Sequence, residues 1–315
     1  MTVAVPVIST DEGDLLRHAL PTVLGQEDVD VVVIDNASED STAAVAAELG
    51  VRTVRLAERS SWPRAANAGI REAGGDAVLF MQPDCFLEPG FVAAARRRLD
   101  EPGVGSVAPK LVRTLGPDPS QRLDAIDAAG MSLDRRRKNG LVGHGRPSLS
   151  FSRSTDAFGA DGAVALYRRE ALEDAAIDGQ VVDEQLQAWG SDADLAWRLR
   201  VLGWRCVYEP AATAFHMRTF SPSTRSQMPD WDRMVQFRNR LLMVAKNDPA
   251  ESLIRDLPAL ATYEIAAFGY ALLVERALLR GYAEAFRLLP AMLRKRRALQ
   301  RRRKALPPYG LEPPV

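Results

Sequence analysis

Residues 29–35 read Val-Asp-Val-Val-Val-Ile-Asp, VDVVVID, a β-branched run closed by an acid. Its apolar residues do not alternate with polar ones, as they would on a half-exposed strand. Such a run is that of a strand buried on both faces, the kind a parallel sheet requires. The flanking sequence repeats the theme. Val3 to Ile8 is a short apolar run, and Leu15 to Leu24 has helical spacing. Ser41 to Leu49 reads as a helix after an Asn/Ser/Asp turn, and Val51 to Leu56 as a third strand. Pro63 to Ala73 follows as a helix with proline in its first turn. Asp76 to Met81 is a fourth strand, Pro89 to Leu99 a helix and Val104 to Pro109 a fifth strand. This alternation predicts an α/β fold with a parallel, doubly wound sheet. Ligands of such sheets bind beyond the carboxyl ends of the strands. That rule selects Ser9 to Glu12, Asp35 with Asn36, and Gln82 to Cys85.

The chain has 315 residues, enough for one large α/β domain with an appendage or two modest domains. It is 46% hydrophobic and 26% charged, an ordinary globular composition. A net charge of zero argues against a dedicated nucleic-acid binder. Two cysteines, Cys85 and Cys206, form neither a disulfide framework nor a metal-type pair, so a reduced cytosolic setting is expected. The start, MTVAVPVIST, reads as a first strand and not as a signal peptide.

From Leu111 to Asp156 the pattern weakens, and stretches such as LDRRRKNGLVGHGRP read as loops and extended segments covering the sheet edge. Order returns with AFGADGAVALYRREAL, a strand and a helix, and RCVYEP is a further strand. FHMRTFSPSTRSQMPDW reads as a loop, with a helix from Trp231 to Lys246 behind it. The C-terminal segment differs. LPALATYEIAAFGYALLV has eighteen residues and one acid, Glu264. A spanning helix needs about 20 apolar residues, so this one is borderline. GYAEAFRLLPAMLRKRRALQRRRK is amphipathic and then strongly basic between Arg294 and Lys304. It fits an interfacial helix on anionic lipid and equally a solvated basic tail.

GSDADLAWRLR (190–200) carries two acids, Asp192 and Asp194, ahead of an apolar run. Ser191 with an acid three residues on is a near-capping box, and acids favour a first helical turn. The same two carboxylates also suit a reaction centre. Three other chemistries are excluded by missing motifs. VISTDEGD after the first strand lacks the dinucleotide Gly-x-Gly turn, no P-loop is present, and no Gly-x-Ser-x-Gly elbow occurs. What remains is a set of isolated acids at strand ends.

Six stretches, in order, carry a resemblance: VVVIDNASEDST, WPRAANAGI, VLFMQPDC, FGADGAVALYRREALED, SDADLAWRLRVLGWRCVYEPAATAFH and RNRLLMVAKNDP. From Val3 to about Pro249 the chain resembles the family 2 glycosyltransferases of the GT-A fold, nearest their bacterial rhamnosyltransferase-like members. The resemblance implies a mostly parallel central sheet flanked by helices over 1–249, with a helical, basic extension over 250–315. It implies an inverting transferase with a nucleoside-diphosphate sugar donor, dTDP-rhamnose or a UDP-sugar. The C-terminal segment, which suggests work at the cytoplasmic face of the membrane, points to a lipid-linked or cell-envelope glycan as acceptor. Nucleic acid is not among the expected partners.

Residue by residue, Asp35 matches the acid that receives the N–H of the donor's pyrimidine. Pro6, Arg64 and Asp161 fall among the nucleotide-sugar contacts. Asp84 matches the last acid of a DxD-type motif that binds a divalent cation, Mg2+ or Mn2+, on the diphosphate. His216 stands where a histidine can complete that metal site. Asp192 matches the catalytic base, and Asp194 is assigned mainly to helix capping and site structure. Arg218 and Arg225 lie where a loop would close over the diphosphate. The chain departs from the family at Ser9 to Asp11, at Gln82 where relatives carry Asp or Asn, and at Ser191 where they carry Glu. These departures leave open a second reading, a GT-A-like protein that binds or scaffolds without catalysis. A nucleotidyltransferase is the weakest of the three, for want of a Gly-rich loop.

Overall fold

A computed structural model of the chain describes residues 2–311. Its N-terminal part alternates as expected: β1 (Val3–Ser9), α1 (Gly13–Leu24), β2 (Val29–Asp35), α2 (Thr42–Glu48), β3 (Arg52–Arg55), α3 (Trp62–Glu72) and β4 (Ala77–Met81). β1 pairs in parallel with β2 and with β4, and β3 extends the β2 side. Every residue of β1 is buried, as are Val31 to Asp35 of β2. That double-sided burial is what their unbroken apolar runs require. α3 settles onto β1 at Gly69, where a Cβ would come within 2.7 Å of the Pro6 Cβ.

The chain continues through β5 (Cys85–Leu87), α4 (Phe91–Leu99), β6 (Val104–Thr114), β7 (Arg122–Ala128), β8 (Met131–Leu133), β9 (Asn139–Leu141) and β10 (Thr155–Ala157). Then come β11 (Val164–Arg168), α5 (Arg169–Ala175), α6 (Ser191–Val201) and β12 (Arg205–His216). The main sheet runs β10-β12-β6-β11-β4-β1-β2-β3, with β5 on β12 and β7 on β6. β11 is antiparallel to both β4 and β6, so the sheet is mixed beyond β4. Val164 pairs with Met81 and Arg168 with Ala77, so β11 enters at the carboxyl end of β4. The turn that precedes β11 therefore meets Gln82 to Asp84. The stretch expected to hold extended segments and loops between Leu111 and Asp156 contains β7, the β8–β9 hairpin and the start of β10. β8, β9 and β10 have three residues each, too few for an alternating pattern to show.

Four helices close the chain: α7 (Asp230–Asn247), α8 (Ala250–Arg255), α9 (Leu257–Leu273) and α10 (Ala277–Arg301). Among the described residues no helix is long and apolar enough to cross a membrane. α10 is fastened to the sheet-bearing part through buried charge. Lys295 lies 2.6 Å from Asp183, which also takes Lys246 of α7 at 2.5 Å. Lys246 reaches on to Asp194 at 2.7 Å, and Arg198 meets Asp194 at 3.0 Å. Buried ions persist only when they are paired this completely.

Two expectations change here. Asp194 does not cap α6, because its carboxylate is wholly buried and spent on Arg198, Lys246 and Asn247. Nor is the basic run a free tail. Lys295 is buried, Arg302 pairs with Asp174 at 2.8 Å and Arg303 with Glu251 at 2.6 Å.

Candidate active site

α6 starts at Ser191, and its N-cap is Gly190 with φ +85°. Glycine suits that left-handed turn. It also makes Ser191 the first helical residue, so no serine side chain caps the helix and the capping-box reading fails. Asp192, next along, is half-buried and faces the turn before β11. Its Oδ2 accepts from the Gly162 N–H at 3.0 Å, and its Oδ1 from the Ala193 N–H at 2.8 Å. Burial, reinforced by the Asp161 carboxylate, pushes the Asp192 carboxyl up to about 6 against the pull of those N–H donors. The Gly162 peptide is itself anchored, since the Gln82 amide donates to its carbonyl at 3.2 Å. Gln82 thus links the end of β4 to the turn that holds Asp192.

A second cluster lies beside it. β12 pairs with β5 so that His216 stands opposite Cys85. The His216 Nε2 is 3.3 Å from Asp84 and its Nδ1 is 2.7 Å from Asp127. Asp127, at the end of β7, accepts also from the Arg218 Nε at 2.7 Å, and Arg218 donates on to Asp161 at 2.9 Å. A continuous chain results: Asp84, His216, Asp127, Arg218, Asp161. Burial alone would lower the His216 pKa, but the two carboxylates override it and hold the imidazole up at about 9. Burial would likewise raise Asp127, yet His216 and Arg218 keep its carboxyl well below the usual range. Asp127 is a site residue that the sequence reading missed. Arg218, expected on a loop that closes over the diphosphate, is instead pinned at 13% side-chain exposure by two acids. Arg225 pairs with Glu275 at 3.1 Å.

Asp84, Cys85 and His216 offer ligand atoms within 4.8 Å of one another, the one such group among the described residues. Asp84 and His216 suit a divalent cation. The Asp127 carboxylate orients the imidazole through Nδ1, which is how metal-binding histidines are commonly held. Cys85 suits it less, because burial pushes its thiol well up and Mg2+ or Mn2+ prefers oxygen and nitrogen.

The cleft that joins these groups has a volume of about 790 Å³ and is lined by Trp62, Asp84, Asp161, Asp192 and His216, among others. Other expected residues lie elsewhere. Asp35 is fully buried at the end of β2, where it takes Arg55 at 2.5 Å and the Ser38 N–H at 2.8 Å. Pro6 packs beneath Gly69 in the sheet. Arg64 points to solvent and pairs with Glu58 at 3.3 Å. Two residues away, Trp62 faces the cleft with its indole N–H buried and unpartnered. Glu12, just before α1, is pushed up to about 7 by burial, and the nearby Asp84 carboxylate adds to this.

Residues 2–175 match the family model of glycosyl transferase family 2. The chain belongs to glycosyl transferase family 2. The matched part of this family 2 chain includes Asp84 and Asp161, while Asp192 and His216 follow it. It is similar to the pre-mycofactocin glycosyltransferase of Mycobacterium tuberculosis, 27% identical over 235 residues. That alignment covers 73% of this chain and 44% of the relative, so the chain spans less than half of the relative's length. Among solved structures, TarS of S. aureus with UDP-GlcNAc superposes with a TM-score of 0.60 at 15% identity, covering 96% of this chain and 91% of that one. The mannosyltransferase PcManGT of Pyrobaculum calidifontis, with GDP-Man and Mn2+, gives 0.54 at 19% identity, covering 95% and 86%. At these identities the likeness is one of fold, and the architecture is the GT-A fold expected above.

Proposed function

We propose that the chain is an inverting glycosyltransferase that moves a sugar, rhamnose or similar, from a nucleoside-diphosphate sugar to a hydroxyl of a cell-envelope or lipid-linked glycan. The observation that carries this reading is the Asp192 carboxylate, pushed up to about 6 and set in one cleft with Asp84 and His216. A base of that strength is ionised at neutral pH and still able to take a proton.

Asp192 accepts the proton of the acceptor hydroxyl as that oxygen bonds to the anomeric carbon. The bond from that carbon to the diphosphate breaks on the opposite side, so the anomeric centre inverts and the nucleoside diphosphate leaves. Asp84 and His216 would hold the divalent cation, which supplies positive charge to the departing diphosphate. Asp161, fixed by Arg218, borders the donor sugar, and the Trp62 ring walls the same cleft. Asp35 would receive the base N–H only by giving up Arg55, which now holds its Oδ2. The GDP-Man, UDP-GlcNAc and Mn2+ bound by the structural neighbours support the donor and cation classes.

A membrane-borne acceptor is supported by the outer face of α9. Ile265, Phe268, Leu272 and Leu273 are exposed there, without a charge among them, beside exposed Arg276, just before α10, and Arg280 within it. Such a face suits peripheral contact with anionic lipid at the cytoplasmic side of a membrane.

Thermal-shift titration with UDP, dTDP and GDP, each with and without Mn2+, tests the reading. A rise in Tm for one nucleotide, enlarged by Mn2+, is expected. No rise with any of them would overturn it.

A further inference from the structure

The cleft extends well past the donor residues, and its charge is divided. Its acids, Asp84, Asp161 and Asp192, belong to the sheet side. The other side is walled by α7, α9 and the start of β9, and it carries Lys138, Phe237, Arg240, Tyr263 and Tyr270. Contacts place these in order from the base. Gly190, at the head of α6, lies against Met243 of α7, and a Cβ there would sit 3.4 Å from the methionine methyl. Arg240 is one turn earlier on α7, and its guanidinium lies 4.5 Å from the centre of the Tyr263 ring. The Lys138 Nζ is 5.8 Å from the same ring.

Arg240 is only 6% exposed. One Nη donates to Glu264 at 2.6 Å and the other to the Arg136 carbonyl at 2.5 Å. Its Nε is buried with no hydrogen-bond partner. A buried charged donor without a partner is unfavourable, so an acceptor atom brought to this N–H would be stabilised. Nearby carboxylates are already used: Asp134 by Arg136 at 3.0 Å and Glu264 by Arg240. Lys138 is exposed and has no ion pair among the described residues.

We infer that this end of the cleft is an acceptor subsite for an anionic group, a phosphate or carboxylate borne by the acceptor, held between Lys138 and Arg240 beside Tyr263. The inference rests on the transferase reading above. At the other end the cations His216 and Arg218 are already matched by Asp84, Asp127 and Asp161, whereas here Lys138 has no ion pair among the described residues. Binding there leaves the acceptor's neutral hydroxyls to reach Asp192.

The full chain, saturated with UDP and Mn2+ to fill the donor end, is titrated by calorimetry with two matched pairs. These are geranyl phosphate against geraniol, and methyl glucuronide against methyl glucoside. At least one anion is expected to bind about tenfold tighter than its neutral twin. A phosphate preference marks a lipid phosphate, and a carboxylate preference marks an acidic sugar. Lys138→Glu, at an exposed position, is expected to abolish the preference and leave UDP affinity unchanged. Tyr263→Ala gives a second variant that leaves the buried Arg240 in place, and it is expected to weaken the anion severalfold. Equal binding of both twins, binding of neither anion, or a preference that survives Lys138→Glu would overturn the inference while UDP still binds. Failure of UDP itself to bind would remove the transferase reading, and this one with it.

Discussion

The Gly162 N–H donates to the Asp192 carboxylate at 3.0 Å, and there is no slack between the two residues. A Cβ on Gly162 would lie 3.1 Å from the Asp192 Cβ and 3.2 Å from its Oδ2. Gly162→Ala therefore pushes the carboxylate off its position without touching the Asp84 and His216 cluster. Misplacement of a reacting group by about 1 Å costs on the order of 100-fold in rate. The shift needed is a few tenths of an ångström, so the expected result is a kcat lower by roughly 3- to 10-fold with nucleotide Kd retained. Steady-state kinetics and calorimetry on the same preparation check both halves. An unchanged kcat would mean that the turn before β11 does not position the base.

Activity should depend on pH through Asp192. The base works when ionised, and burial with the Asp161 charge raises its carboxyl to about 6. The kcat/KM, which reports the free enzyme, should therefore climb with pH up to about 6 and level off above it, falling about tenfold per pH unit on the acid side. A pH profile of kcat/KM measures this. A flat profile down to pH 4.5 would assign the proton transfer to another group.

Asp127 holds two site residues at once, at 2.7 Å from His216 and 2.7 Å from Arg218. Asp127→Asn keeps the shape and removes the charge. Loss of such a supporting carboxylate typically weakens metal binding by about 10- to 100-fold. Mn2+ titration in the presence of UDP should show that loss, with a smaller effect on UDP in the absence of metal. Equal Mn2+ affinity in the variant and the parent would separate Asp127 from the cation site.

Much of this arrangement is legible in the sequence because it is local. VDVVVID forms β2 over the same seven residues, Val29–Asp35, since an unbroken apolar run has one use in an α/β protein. Asp84, Asp161, Asp192 and His216 were each readable from their own stretch, and all four line one cleft. What the sequence hides is pairing at a distance. Asp127 meets His216 and Arg218 across 89 and 91 residues, and nothing in LDAIDA advertises either partner. Periodicity marks β11 as a strand but cannot give its direction, which depends on where the chain re-enters the sheet. Asp194 looked like a cap because Lys246, its partner at 2.7 Å, belongs to another helix. In WPRAANAGI the arginine drew attention by its charge, yet the helix turns Arg64 outward and Trp62 inward.

The outer face of α9 should be the membrane contact. Ile265 and Leu273 are 75% and 86% exposed, so replacing both by Asp should leave the fold intact. Co-sedimentation with phosphatidylglycerol vesicles should fall severalfold in this double variant, while phosphatidylcholine vesicles bind neither protein strongly. The basic run is a poor target for the same test, because deleting Arg294 to Lys304 also removes the buried Lys295. Unaltered sedimentation would place the contact, if one forms, elsewhere on the chain.

The central claim is that Asp192 is the base, and Asp192→Asn tests it. The substitution keeps the side chain's size and removes its proton affinity. Its effect on stability has two opposed parts. A carboxyl raised in the folded state opposes folding increasingly above about pH 4 and fully above about 6, while the Asn amide can accept only one of the two backbone N–H groups, so the variant's Tm at pH 8 should stay close to the parent's. With the fold and nucleotide binding thus controlled, the deciding measurement is the single-turnover rate of sugar transfer from the donor that stabilises the protein. A fall of about 100- to 10,000-fold with unchanged nucleotide Kd is the result expected for a lost general base. Transfer within about twofold of the parent rate would contradict the account.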